Sequence, residues 1–349
     1  MNRFTVILLL VLPFAALNAQ NETKAENLTI IAVGDIMLGT NYPNASYLPP
    51  NDGKDVMAAV GSILEKGDLT VGNLEGVIHG PDAAEGKICS DPKYCYLFKS
   101  PDHYVDHFVS SGFDFLCVAN NHINDFGSIG REHTLALLDE AGISYAGVTD
   151  HPTSILEVNG LSVGFAGFSP NRGTQSITDY DLVERTVQAL SATCDVVVVS
   201  FHGGAEGEEH EHVLPGTETY LGENRGDPIR LARVAIDAGA DVIWGHGPHV
   251  PRAVDLYKDR FIAYSLGNFA TYARFSLKGS KSFVPILELE IRADGSFVSA
   301  QIHSALQKDN GGPRPDAGAH AYQRIESLTR ADRPDAGLRF PGNGIIEKE

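Results

Sequence analysis

Six polar clusters in this 349-residue chain carry the residue types that hold divalent metals. They are Asp35; Asn73 with Glu75; Asn121 with His122; His202; His246 with His249; and Asn268. Each follows an apolar run of strand length. Carboxylate, amide and imidazole together suit borderline-hard divalent ions: Mn, Zn or Fe, and Mg less well beside so many imidazoles. One or two such ions would lower the pKa of a bound water and polarise a scissile bond, the chemistry of metal-assisted hydrolysis. Singly, a strand-end Asp or Asn is a turn or cap residue, and a lone His is a locally satisfied side chain. The recurrence of these types at one kind of position points to a site.

The densest cluster lies in residues 113–127, FDFLCVANNHINDFG. A short apolar run breaks into Asn120, Asn121 and His122, with Asp125 three residues on. Asn120 is read as a turn residue only. Glycines stand beside the other clusters (Gly34, Gly72, Gly203, Gly204, Gly245, Gly247) and allow tight turns and close backbone approach.

The elements that must position these groups follow a rhythm. Strands are expected at 28–33, 68–71, 113–118, 195–200, 242–244 and 261–264. Helices are expected at 55–66, 101–110, 129–141, 182–190 and 227–238, with Pro101 in a favoured first-turn place and Gly142 as a stop. Asn159-Gly160 marks a hairpin between 155–158 and 162–167. Alternating strands and helices argue for parallel strands with helical crossovers, whose carboxyl ends share one edge where ligands bind. Strands near 283–291 and 297–303, joined without helices, argue for an antiparallel portion. Residues 306–349, rich in Gly and Pro with one short helix at 319–328, are expected as a surface tail.

The formal charge of −18 repels nucleic acid and anionic lipid, so neither is an expected partner. Residues 1–19 have the three-part form of a secretory signal peptide, and their apolar run is too short to span a membrane comfortably. Residues 20–27 are a polar linker. The expectation is an exported protein, periplasmic or extracellular, soluble after cleavage. Cys117 and Cys194 read as small buried hydrophobes. Cys89 and Cys95 flank a polar loop and are either a disulfide of an exported protein or a reduced pair.

The series GDIMLG (34–39), NLEG (73–76), ANNHINDFG (119–127), HGGAE (202–206), GHGPHV (245–250) and YSLGNF (264–269) resembles the CapA family of poly-γ-glutamate capsule-biosynthesis proteins, within the calcineurin-like metallophosphatase superfamily. The resemblance spans about residues 28–305. It implies an α/β fold of four layers, α/β/β/α, in which two mixed sheets pack face to face with helices outside. It further implies metal ligation by Asp35, Asn73, Glu75, Asn121, His202, His246 and His249. His122 would be a proton donor supported by Asp125, and Glu206 an acid/base or supporting group. Three departures stand out: Met37 replaces a histidine, Asn73 stands at a bridging aspartate position, and two residues separate His246 from His249. The implied function is capsule biosynthesis, as a metal-dependent hydrolase of an exported anionic polymer such as poly-γ-glutamate or of a small-molecule ester. The alternative is a non-catalytic polymer-binding accessory protein associated peripherally with the envelope polymer-synthesis machinery.

Overall fold

The computed structural model describes residues 24–80, 86–88, 96–308 and 311–349. The period-two alternation along the strand Asn27–Met37 sets the architecture. Leu28, Ile30 and Ala32 enter one apolar core, whereas Ile31 and Val33 enter another on the opposite face. A strand buried on both faces belongs inside a layered fold. On one side it pairs in parallel with Leu69–Leu74, which continues in parallel to Phe115–Cys117 and Ser144–Ala146. On the other it pairs antiparallel with Phe283–Arg292, followed by Phe297–Gln307. A second, six-stranded sheet holds Leu161–Phe168, Val196–His202, Val242–His246 and Arg260–Ala263 in parallel, with antiparallel Thr153–Val158 and Val254–Tyr257 at its edges.

The two sheets pack on each other. Phe115 of the first stacks on Phe165 of the second with centroids 4.2 Å apart, and each such fully buried ring contributes about 2–3 kcal/mol. Trp244 donates its indole N–H to the Val33 carbonyl at 2.9 Å, a polar tie across the same layer. On the outer face of the first sheet, Val105 and Phe108 of the helix Val105–Ser110 and Leu135 and Leu138 of Gly127–Ala141 close a second core. On the outer face of the second sheet, Val183 and Val187 of Tyr180–Ser191 and Leu231 and Ala235 of Pro228–Asp237 close a third. Asp179 and Asp227 cap these last two helices by accepting from backbone N–H groups. The result is the expected four-layer α/β/β/α sandwich of two mixed sheets.

Three elements differ from expectation. Residues 55–66 form 3₁₀ turns and a single helical turn, Gly61–Leu64. Val56, Val60 and Leu64 still reach the core, so burial is satisfied without a continuous helix. Asn268 does not end the strand before it. The chain leaves the second sheet after Ala263 and crosses to the first, where Asn268–Thr271 pairs in parallel with the end of Asn27–Met37. Finally, the segment expected as a surface tail is part of the fold. Leu338–Gly342 and Ile345–Lys348 extend the first sheet, and the helix His320–Asp332 buries Ala321, Tyr322 and Ile325 in the inter-sheet core. Burial of those side chains outweighs the coil tendency of the surrounding Gly and Pro. The expected signal peptide and the Cys89–Cys95 pair lie outside the described residues.

Candidate metal centre

Both sheets bring their carboxyl ends to one edge, and backbone geometry sets the donors there. Asp35 stands in register with Asn73 on one neighbouring strand and Asn268 on the other. Its N–H donates to Gly267 O at 2.9 Å. The preceding Gly34 makes this approach possible, because a Cβ there would lie 1.8 Å from the same oxygen. In the second sheet His202 and His246 end adjacent strands in register. Ser200, two residues before His202, shares its face and lies 2.8 Å from His246 Nε2. Gly247 adopts φ +104°, and a Cβ there would sit 3.0 Å from the His202 ring.

The side chains converge. His202 Nδ1 and His246 Nδ1 face each other at 3.2 Å. His246 Nδ1 is 3.7 Å from Asp35 Oδ1, and His202 Nδ1 is 3.5 Å from Glu75 Oε2. Asp35, His202 and His246 each offer a ligand atom within 4.8 Å of the other two, and all three are buried. A four-coordinate ion at about 2.0–2.2 Å from N and O donors spaces them ~3.4 Å apart, which is the spacing seen. Glu75 Oε1 is buried with no hydrogen-bond partner.

Electrostatics agrees with a cation. Burial, then the Arg225 charge and the neighbouring histidines, hold His202 well below its ordinary pKa. Burial takes His246 down to about 4 despite Asp35. Both imidazoles are therefore neutral and offer lone pairs. Burial and the nearby Asp35 push Glu75 up to about 8, as expected of two carboxylates sharing a dry site. The residues present fit a divalent metal.

Asn73 is turned the other way from a ligand. Its Nδ2 donates to Asp35 Oδ1 at 2.8 Å and to Glu75 Oε2 at 2.6 Å, so it aims both carboxylates. Its own oxygen accepts from Asn120 Nδ2 at 3.0 Å. Asn120 also accepts the N–H groups of His122 and Ile123, the turn role expected of it. His249, at φ +58°, places Nδ1 2.8 Å from Asp35 Oδ2. Burial lowers its pKa, but the hydrogen bond and charge of Asp35 outweigh that and hold it at about 9.

On the flank, His122 Nδ1 is 2.7 Å from Asp125 Oδ2 and its Nε2 faces Glu75 Oε1 at 3.9 Å. Asp125 is fixed in turn by the Phe98 N–H at 2.8 Å and by Lys87 at 2.5 Å. Glu206 does not join the cluster. It pairs with Arg225 at 3.2 Å, and the same guanidinium reaches His202 Nε2 at 3.4 Å and Gly204 O at 3.1 Å. Asn121 points a buried, unpartnered Oδ1, and Asn268 donates to the His249 and Lys281 carbonyls.

Arg225, Lys87 and Ser200 escaped sequence reasoning. Only Ser200 carried a signal, its two-residue spacing from His202 on a strand. Arg225 and Lys87 reach the site from loops whose approach no periodicity reports.

A family model described as "Bacterial capsule synthesis protein PGA_cap" matches residues 29–273. The chain is 28% identical over 324 residues to the capsule biosynthesis protein CapA of Bacillus anthracis, covering 90% of this chain and 75% of that protein. It is 29% identical over 254 residues to the PGA biosynthesis protein CapA of Bacillus subtilis (strain 168), covering 68% of this chain and 61% of that protein. Among solved structures it is similar to a 5'-nucleotidase precursor from Thermus thermophilus, with TM-score 0.47 and 13% identity, over 87% of this chain and 59% of that one.

Proposed function

We propose, from the premise that this chain belongs to the bacterial capsule synthesis protein family, that it is a metal-dependent hydrolase of an exported anionic polymer such as poly-γ-glutamate, or of a small-molecule ester. The observation that carries this reading is the convergence of His202 and His246 Nδ1 on the carboxylates of Asp35 and Glu75. Those residues would hold one or two ions of Mn, Zn or Fe, with His249 and Asn121 as further donors. A divalent ion supplies polarisation of the scissile bond and a water of lowered pKa.

The chain's own groups do the rest. Asn73 orients the two carboxylates. Asp125 holds His122 by its Nδ1, which leaves Nε2 to pass a proton to the leaving group. Glu206 fixes Arg225, which braces His202 from behind. No helix among the described residues is long and apolar enough to cross a membrane. The action proposed is outside the cytoplasm, after signal-peptide cleavage, with peripheral association to polymer-synthesis machinery.

A second reading, a polymer-binding accessory protein without turnover, is favoured by Met37. It lies buried where the resemblance to the metallophosphatase superfamily would place a metal-binding histidine. Metal analysis of the purified protein beside His202→Ala separates the outcomes. About one or two bound ions, lost in the variant, together with metal-dependent cleavage of γ-linked glutamate oligomers or phosphodiesters, is the expected result. Bound metal and polymer binding without cleavage across Mn, Zn, Fe and Mg selects the accessory role. A wild-type protein that takes up no ion overturns the hydrolase reading.

A further inference from the structure

Beyond Asn268–Thr271 the chain makes a tight three-residue turn. The Arg274 N–H donates to Tyr272 O at 2.8 Å, and Ala273 between them sits at φ +65°. A non-glycine residue in that region is strained and persists where its surroundings over-determine it. The turn holds two side chains against the site. Phe275 stacks on Phe98 at 5.2 Å and meets His249 edge-on at 5.1 Å. Phe98 lies 4.1 Å from the His122 ring. Arg274 places its guanidinium over the rings of Tyr47 and Tyr96, 4.6 and 4.7 Å from their centroids.

Arg274 has no carboxylate partner among the described residues, and its Nε is buried without an acceptor. This is in a chain with 45 acidic against 27 basic residues. The neighbouring buried arginines are engaged, Arg225 by Glu206 and Arg252 by Glu218. Cation–π contact with two tyrosine rings holds a guanidinium without using its N–H donors, the groups that take an oxyanion in bidentate fashion.

We propose that Arg274 is the specificity-determining residue of this site, docking a substrate carboxylate beside the metal centre. The aromatic wall of Tyr96, Phe98 and Phe275 connects that anchor to His122 and His249. A carboxylate held there would place the adjacent linkage of a polyanionic chain along the wall, toward the proton donor. The proposal rests on the reading of the metal centre given above.

The test uses the full mature chain, with metal content read in every sample. Fluorescence anisotropy compares a labelled γ-linked glutamate oligomer with the same oligomer carrying side carboxamides, and inorganic phosphate serves as competitor. The expected result is preference for the carboxylate form, with Arg274→Gln weakening it by roughly ten-fold. Arg274→Lys weakens it less, the carboxamide form is unaffected by either change, and bound metal is unchanged. Equal binding of both oligomers by the wild type, binding of neither, or undiminished carboxylate binding by Arg274→Gln overturns the proposal. Competition by phosphate lost in Arg274→Gln without oligomer binding assigns the residue to a phosphate group and overturns the carboxylate assignment. Loss of metal in His202→Ala with intact Arg274-dependent binding keeps the two readings separate, since the anchor then works without the ion.

Discussion

Asp35 Oδ2 accepts a hydrogen bond from His249 Nδ1 at 2.8 Å, joining residues 214 positions apart in the chain. The carboxylate is buried and its other oxygen is held by Asn73. With metal chelated, Asp35→Asn leaves the His249 charge without its partner. Breaking such a pair from one side costs roughly 3 kcal/mol. Urea denaturation in EDTA is expected to show this loss in Asp35→Asn. A variant as stable as the wild type refutes the pairing.

The same groups set a pH dependence for the metal-free protein. His249 is raised to about 9 from 6.5, so the stability of its pairing is fully present below about pH 6.5 and is lost as pH rises through about 9. Glu75 keeps its proton up to about 8 in the fold against 4.5 unfolded, so its ionisation also destabilises the fold as pH rises. Asp35 is lowered, its burial outweighed by His249, His246 and Asn73, and acts at the acid end, where its contribution is lost as pH falls. Denaturation midpoints in EDTA are expected to decline from about pH 4.5, where Glu75 begins to count, to about pH 9, with His249 adding to the slope above about 6.5. Metal needs both groups deprotonated, so its affinity rises over that interval with proton release. Calorimetry in two buffers of different ionisation enthalpy reads that release, and its absence counts against Glu75 and His249 as donors.

Asp125 positions His122, so Asp125→Asn is expected to lower kcat by about 10–100-fold with bound metal unchanged. A purely structural defect would slow all substrates alike. Loss of the proton donor slows a poor leaving group and spares a good one. Comparison of alkyl and nitrophenyl esters of one acid therefore decides the point, and equal loss on both refutes the role.

Gly247→Ala introduces a Cβ 3.0 Å from the His202 ring at a backbone φ of +104°. The imidazole has to shift, and metal affinity is expected to fall by at least about ten-fold. Circular dichroism checks that the fold remains, and unchanged metal affinity in a folded variant overturns the packing argument.

The layered fold is largely legible in the chain. Strand and helix alternation reports the parallel strands, and the Asn159-Gly160 hairpin joins Thr153–Val158 to Leu161–Phe168 as expected. Residues 306–349 read as a tail because short strands at a sheet margin carry little periodicity, and Gly and Pro dominate the local signal. Residues 55–66 read as a helix because apolar spacing reports burial, and 3₁₀ turns satisfy the same burial.

Which residue types stand at the ends of the strands can be read along the chain, because strand period and turn chemistry are local properties. The chain also carries the motif series by which the family is recognised. What those residues do to one another emerges with the packing of the two sheets. Asn73 became a donor to two carboxylates, His202 and His246 came to face each other Nδ1 to Nδ1, and Glu206 turned away to Arg225. Asn268 crossed to the other sheet to stand beside Asp35. Side-chain direction at such an edge depends on register between strands and on packing between sheets. Both are set by contacts between residues far apart in the chain, which no local pattern records.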